Sequence, residues 1–303
     1  MGGGAREPLG TLRSVTRDRP TTDIPGMPTL EHAAMHLLCV GSARRLIVPP
    51  AAGDGSAGGA RMLTRGDLGA IVIDVDASDF TGESGEANLA DVVWLARRAG
   101  EHDRLIHAAR GADAAAVLPA RFGTLFVAED SLWAVLERHA GAIRLFLDQA
   151  EGRDEWSVKI IGDPAAATRA LTARIAKERG IDTGAGGARY LLMRKVEQDA
   201  AARSATFMAE QSAAALRTLA TACADIRLGR SGKRQEDGTE IIASASLLAG
   251  RDQAERLARV VEDVRAAAAL EGLSVTLTGP WPPYSFAPSL DGPGGPAGAG
   301  EPG

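Results

Sequence analysis

The sequence predicts an α+β fold built as two domains. Three observations carry that reading. From Trp156 onward, periodic segments run strand, helix, strand, strand, helix, strand. That is the split βαβ order of a ferredoxin-like domain. Between about residues 34 and 150, β-branched runs and stretches of helical spacing predict a separate N-terminal unit, a modified α+β sandwich. The two ends, 1–33 and 288–303, are rich in small residues and proline and show no period, so a disordered arm and tail are expected. The domains are therefore expected at 34–150 and 151–287.

Composition narrows the function. The chain has 303 residues, enough for one or two domains. Its hydrophobic content of 45% is ordinary for a globular protein. A formal net charge of −5 argues against a nucleic-acid partner. No apolar run approaches the ~20 residues of a membrane helix, so no membrane partner is expected. The N-terminus lacks the apolar core of a signal peptide, which predicts a cytoplasmic location. Cys39 and Cys223 stand far apart in expected strands and read as small buried hydrophobes rather than a bridge or metal pair.

Ahead of the first domain, Arg6, Arg13, Arg17 and Arg19 lie in the arm, and a solvated tail is expected. Met35 to Val40 predicts the first strand, ending at Gly41. Leu46 to Pro49 predicts a second, and Ala51 to Ala60 a loop. Leu68 to Val75 is β-branched and predicts a buried strand. Asp74, Asp76 and Asp79 follow closely, but an EF-hand loop needs Gly where Asp79 stands and Glu where Gly85 stands. They read as turn groups. Asn88 to Ala109 has helical spacing through Leu89, Val92, Val93, Leu95, Ala96 and Ile106, with a break expected at Gly100. His102 and His107 are spaced poorly for one helical face and are expected to be exposed beside Glu101 and Asp103. Ala114 to Leu118 predicts a strand. Glu129 to Leu147 predicts a helix with Leu132, Trp133, Leu136, Ile143 and Phe146 inward.

In the second domain, Trp156, Val158 and Ile160 mark a strand. Asp163-Pro164 supplies an N-cap and a proline at N1 for a helix that Gly180 ends. Gly184 to Gly187 is a break without the Lys-Ser/Thr of a phosphate loop. A long helix is expected over about 188–221, buried through Leu192, Val196, Ala200, Phe207, Ala215 and Leu219. Arg194, Lys195, Glu197 and Asp199 form its solvated face. Ala224 to Leu228 predicts a strand, Ser231 to Gly238 a hairpin loop and Glu240 to Leu248 a strand. A helix from Arg251 or Asp252 carries Leu257, Val260, Val261 and Val264 at helical spacing and closes at Gly272. The last strand, Leu273 to Thr278, is expected at a sheet edge beside the Trp156 strand.

Two stretches stand out. Leu118-Pro119-Ala120-Arg121-Phe122-Gly123-Thr124-Leu125-Phe126 ends a strand: Pro119 breaks the ladder and Gly123 permits a tight backbone. Arg121, between apolar neighbours, is expected to lock the loop through nearby carbonyls. Gly279-Pro280-Trp281-Pro282-Pro283-Tyr284-Ser285-Phe286 is stiffened by prolines, which are expected to stop the last strand. It holds three aromatics in a chain with four Trp, two Tyr and six Phe. It reads either as a rigid cap over the core or as a docking surface, and the two are compatible. It is expected to fold back near the domain junction with Pro119 to Phe126 as neighbour. Trp281→Ala is then expected to lower stability by roughly 3–5 kcal/mol.

No Ser-His-Asp, Cys-His, H-E-x-x-H or Cys-x-x-Cys arrangement is present, and no nucleotide fingerprint. Residues alone thus suggest a two-domain protein without visible catalytic or cofactor-binding equipment. The two stretches resemble the signatures of the gas vesicle accessory proteins of the GvpF/GvpL family. Tyr190-Leu191-Leu192-Met193-Arg194-Lys195 and Trp156-Ser157-Val158-Lys159 are weaker likenesses, and together they span about residues 34–287 in order. The chain departs from the family in lacking tyrosines in its first strand and in carrying the extra arm. The resemblance implies a non-enzymatic accessory protein of gas vesicle assembly and buoyancy, a minor vesicle component without cofactors. Its implied partners are the hydrophobic gas vesicle shell protein, kept from aggregating, and other gas vesicle accessory proteins. It implies that Pro119, Arg121, Phe122, Gly123, Trp281, Pro282, Pro283, Tyr284 and Phe286 serve partner binding or structure. The rival reading is a small-molecule enzyme on a ferredoxin-like scaffold.

Overall fold

The computed structural model describes residues 33–50, 59–181 and 187–290. The arm as far as residue 32, most of the loop after Pro50, the Gly184–Gly186 break and the tail beyond Leu290 lie outside the described residues. Leu290 itself packs against a core cluster, so the chain keeps core contacts just beyond the expected start of the tail.

The first antiparallel sheet comprises β1 (Ala33–Ser42), β2 (Arg61–Arg65), β3 (Leu68–Asp76), β4 (Val117–Pro119) and β5 (Leu125–Phe126). Its order is β2-β3-β1-β4, with β5 also on β1. Helices cover both faces. On one side Leu37, Val40, Ala70 and Val72 pack with Leu132, Trp133 and Leu136 of α3 (Glu129–Arg138) and with Ile143 and Phe146 of α4 (Ala140–Ala150). On the other, Leu38, Cys39, Ile71 and Ile73 meet Leu105, Ile106 and Ala109 of α2 (Val92–Ala109). A sheet buried on both faces explains why β1 and β3 are continuous apolar runs.

Several sequence expectations fail here for local reasons. Leu46 to Pro49 forms no strand; Leu46 is buried against α2's face of the sheet, and the Ile47 amide bonds the Ala109 carbonyl. The second strand is instead β2, joined to β3 through Gly66 in a left-handed conformation. The helical break falls at Asp91, whose carboxylate caps Val93 and Trp94, so α1 (Gly82–Ala90) ends there and Gly100 lies inside α2. Leu89, Val92 and Val93, expected inward, are exposed. The helix expected from Glu129 to Leu147 divides at His139 into α3 and α4.

The second antiparallel sheet comprises β6 (Arg153–Gly162), β7 (Asp225–Leu228), β8 (Lys233–Arg234), β9 (Glu240–Gly250) and β10 (Leu273–Trp281). Its order is β10-β6-β9-β7, with β8 on β9, and β6 pairs with β9 and β10. Apart from β8, that is the strand order compatible with a ferredoxin-like unit. The first crossover carries two helices, α5 (Pro164–Glu178) and α6 (Gly187–Ala220), and the second carries α7 (Ala254–Leu270). Asp163 caps α5 through Ala165 and Ala166, with Pro164 in the first turn. Val158, Ile160 and Leu247 pack beneath Leu171, Phe207, Leu219 and Val261. Leu192, expected in α6's buried stripe, is exposed. On the outer strand β10, Arg265 of α7 donates Nε–H to the Val275 carbonyl at 3.0 Å.

Pro280 does not stop β10. A register shift between Thr278 and Trp281 carries the strand on, and Trp281 pairs with Glu155. An outer strand tolerates a proline because a missing donor can face away from the ladder.

Candidate partner-binding surface

The first stretch is held from below by two histidines. Pro119 closes β4, and the Ala120 amide bonds the Leu38 carbonyl. Thr124 turns back on the Arg121 carbonyl through its amide and its hydroxyl. Gly123 sits at φ +82, a region that L side chains avoid. Its amide donates to His36 Nε2 at 3.1 Å, while His102 Nε2–H donates to the Ala120 carbonyl at 3.0 Å. The two imidazoles stack with centroids 4.9 Å apart and 14° between planes. Phe122 meets both rings edge-on, and Phe80 packs beside it.

This corrects the reading of His102 as exposed: both His36 and His102 are buried. Burial, then the neighbouring His102 and Arg98, lowers the His36 pKa to about 3. Burial also lowers that of His102, against the pull of Ala120 and Asp103. Both rings are therefore neutral at pH 7. Arg121, expected to lock the loop from inside, is exposed. The histidines fix the loop and the guanidinium projects from it. A histidine inside the apolar run Met35 to Val40 was the available signal.

The second stretch folds back onto the junction of the two halves. Gly279, at φ +140, lies so close to β6 that a Cβ would come within 3.0 Å of the Trp156 ring. Pro282, Pro283 and Phe286 are buried. Phe286 joins the cluster of Leu118 and Trp133, with the Arg227 guanidinium 5.0 Å from its ring. Ser285 donates its amide to Glu155 Oε2 at 2.8 Å and its hydroxyl to Oε1 at 2.5 Å. Arg227 donates to the Ser285 carbonyl at 2.6 Å. Tyr284 donates its hydroxyl to Asp103 Oδ1 at 3.4 Å, and burial with that carboxylate pushes the phenol well above its ordinary pKa.

Trp281 differs: it is 40% exposed, with His107 edge-on at 6.5 Å. The expected 3–5 kcal/mol loss on Trp281→Ala therefore moves to Phe286→Ala, where a buried aromatic is removed. Trp281→Ala should cost roughly 1–2 kcal/mol, because part of the ring is already in water and solvent fills the space. Urea unfolding of both variants checks the contrast; equal losses would refute it.

One helix serves both stretches. His102 of α2 holds Ala120, one residue before Asp103 meets Tyr284 and five residues before His107 meets Trp281. Beside them a buried ion pair joins the halves. Arg110 donates to Asp154 at 2.5 Å, and Arg251 lies 3.6 Å from the same carboxylate while donating to the Asp113 and Ala114 carbonyls.

Elsewhere, Asp74 pairs with Arg61, Asp76 caps Ser78 and Asp79 faces Arg98. Among the described residues no cluster of three His, Cys, Asp or Glu is placed for a metal ion, and no helix is long and apolar enough to cross a membrane. Cys39 is buried in β1, its thiol pushed up to about 12 by burial; Cys223 lies between α6 and β7, not in a strand, and both are free thiols.

Residues 34–288 match the family model of the gas vesicle synthesis protein GvpL/GvpF. The chain belongs to the GvpL/GvpF family. It is 30% identical over 234 residues to gas vesicle protein L of a Streptomyces species, covering 75% of this chain and 82% of that one. It is 30% identical over 190 residues to gas vesicle protein L2 of Halobacterium salinarum, covering 57% of this chain and 64% of that one. The fold matches the crystal structure of GvpF from Anabaena sp. PCC7120 with a TM-score of 0.56 at 15% identity, over 85% of this chain and 97% of that one. GvpF from Microcystis aeruginosa matches with a TM-score of 0.53 at 14% identity, over 84% and 99%. At such identities the structures speak for the fold alone. Membership of the GvpL/GvpF family places the chain in gas vesicle formation.

Proposed function

We propose that this GvpL/GvpF protein is a non-enzymatic assembly factor and minor component of the gas vesicle. In this reading it binds the hydrophobic shell protein, limits its aggregation during nucleation and contacts other gas vesicle accessory proteins. Its place of action is the cytoplasm and the nascent vesicle. Residues 34–150 and 151–287 are read as two domains joined at the junction described above.

The observation that supports this most is that both family stretches form a rigid frame with side chains left over. The buried histidines, Phe286 and Glu155 fix the backbone, while Arg121 and the Trp281 face project outward. A surface fixed before binding loses little entropy when a partner arrives. An apolar partner suits Trp281, and a partner carboxylate suits the Arg121 fork.

The test is an aggregation and pull-down assay with purified shell protein. Wild type should capture the shell protein and delay its turbidity. Arg121→Ala/Trp281→Ala should bind at least about tenfold more weakly, a loss of ~1.4 kcal/mol, the scale of one good interface contact. Its melt should stay within a few degrees of wild type. Absence of capture by wild type would overturn the assembly reading; unchanged binding by the variant would overturn the site.

A further inference from the structure

The first turns of α6 carry an apolar and basic surface that no described element covers. Tyr190, Leu191 and Leu192 are 65%, 67% and 52% exposed. Among the described residues of α6, none before Val196 is buried. Leu192 stands four residues ahead of Val196, on the stripe that Val196, Ala200 and Phe207 bury in one cluster with Leu171 and Ile175 of α5. α6 has 34 residues and α5 only 15, so the long helix outruns its cover and leaves the start of the stripe open. On the face opposite Val196, Arg194 and Lys195 follow Leu191 by three and four residues. The charge here is one-sided. Between Thr172 and Val196 the chain holds six Arg or Lys against Glu178 and Asp182, and Glu178 lies 3.5 Å from Arg174. Lys177, Arg179, Arg189, Arg194 and Lys195 are all exposed, and the next acids along α6 are Glu197 and Asp199.

We propose that this end of α6 docks an acidic amphipathic helix of another protein. A helix interior has no spare backbone donors or acceptors, so the surface offers side chains alone, and ridges packed into grooves are how helices accept such a neighbour. Tyr190 and Leu191 supply the apolar ridge, and Arg194 and Lys195 beside them call for carboxylates on the partner. The charge also decides between occupants. The chain's net charge is −5 with this basic cluster included, so the rest of it is acidic. An anionic membrane would draw that acidic remainder toward a wall of like charge, whereas a single helix engages the basic end locally. A two-fold pairing of two copies would set basic end against basic end. This surface lies outside the Arg121 and Trp281 pair, and the inference does not rest on shell-protein binding.

A labelled synthetic helix, with Leu at i, i+3, i+4 and i+7 and Glu on the flanks, tests this against the full chain. By fluorescence anisotropy it should bind at least about tenfold more tightly than the same peptide with Lys in place of Glu, and added salt should weaken it. Tyr190→Gln/Leu191→Gln and Arg194→Glu/Lys195→Glu should each weaken binding at least about tenfold. Gln and Glu keep good helix propensity, so both variants should melt within a few degrees of wild type. Equal affinity for the two peptides, or unchanged binding by either variant, would overturn the proposal. Sedimentation with phosphatidylserine vesicles, without peptide binding, would overturn it in favour of a lipid surface. Dimerisation that Tyr190→Gln/Leu191→Gln abolishes, again without peptide binding, would overturn it in favour of a second copy of the chain.

Discussion

Asp154→Ala is expected to lower the stability of this protein by about 3–5 kcal/mol, the usual cost of removing one partner from a buried ion pair. Asp154 and Arg110 are both buried, their charged atoms 2.5 Å apart. Arg110 also donates Nε–H to the Ala115 carbonyl at 3.2 Å, so its guanidinium cannot swing out to water without losing that bond. The variant strands the cation in the junction. Replacing both partners, Arg110→Met with Asp154→Leu, should recover most of the loss, because the buried Arg110 charge is removed with its partner, while the partly exposed Arg251 keeps its bonds to the Asp113 and Ala114 carbonyls. Urea unfolding of the single and double variants measures this. A single variant with the wild-type midpoint would show that water reaches Arg110.

Acid is expected to weaken the protein well before its carboxylates titrate. An unfolded histidine takes its proton near pH 6.5, whereas folded His36 takes it only near 3. Between those values unfolding absorbs a proton, so stability is complete above about pH 6.5 and falls as the pH drops. The slope approaches about 1.4 kcal/mol per pH unit for one such histidine. His102, lowered by burial, acts in the same direction. His107, raised by Asp103, acts with the opposite sign: its stabilisation is present at low pH and disappears as the pH rises through its folded pKa. The urea midpoint should therefore fall between pH 6.5 and 4.5, and His36→Gln should flatten that slope. A midpoint flat across this window in wild type would refute the neutral buried pair.

The second half of the fold was legible because its punctuation is local. Asp163-Pro164, Gly180 and Gly272 each fix an element boundary with chemistry contained in one or two residues. The first half was less so. Its strands are covered on both faces and carry no alternation. Its helical break depends on the Asp91 cap rather than on the glycine nearby. The site was half visible. Gly123 marks a special backbone position, whereas the prolines predict the end of a strand that in fact runs on through Pro280, and the His36–His102 stack exists only through tertiary contact, which no spacing reports. An arginine among apolar neighbours implies burial, so the sequence points to Arg121 as the lock. Once two histidines hold the loop, its side chain is released to solvent.

The Arg265 clip on β10 bears on how such a protein behaves at high local concentration. An outer strand normally offers a row of open carbonyls and amides on which another strand can crystallise. Here an arginine already occupies the Val275 carbonyl, and Pro280 has no amide hydrogen to offer. Copies brought together at high local density thus find this flank poorly suited to self-templating. The rim on that side stays inert.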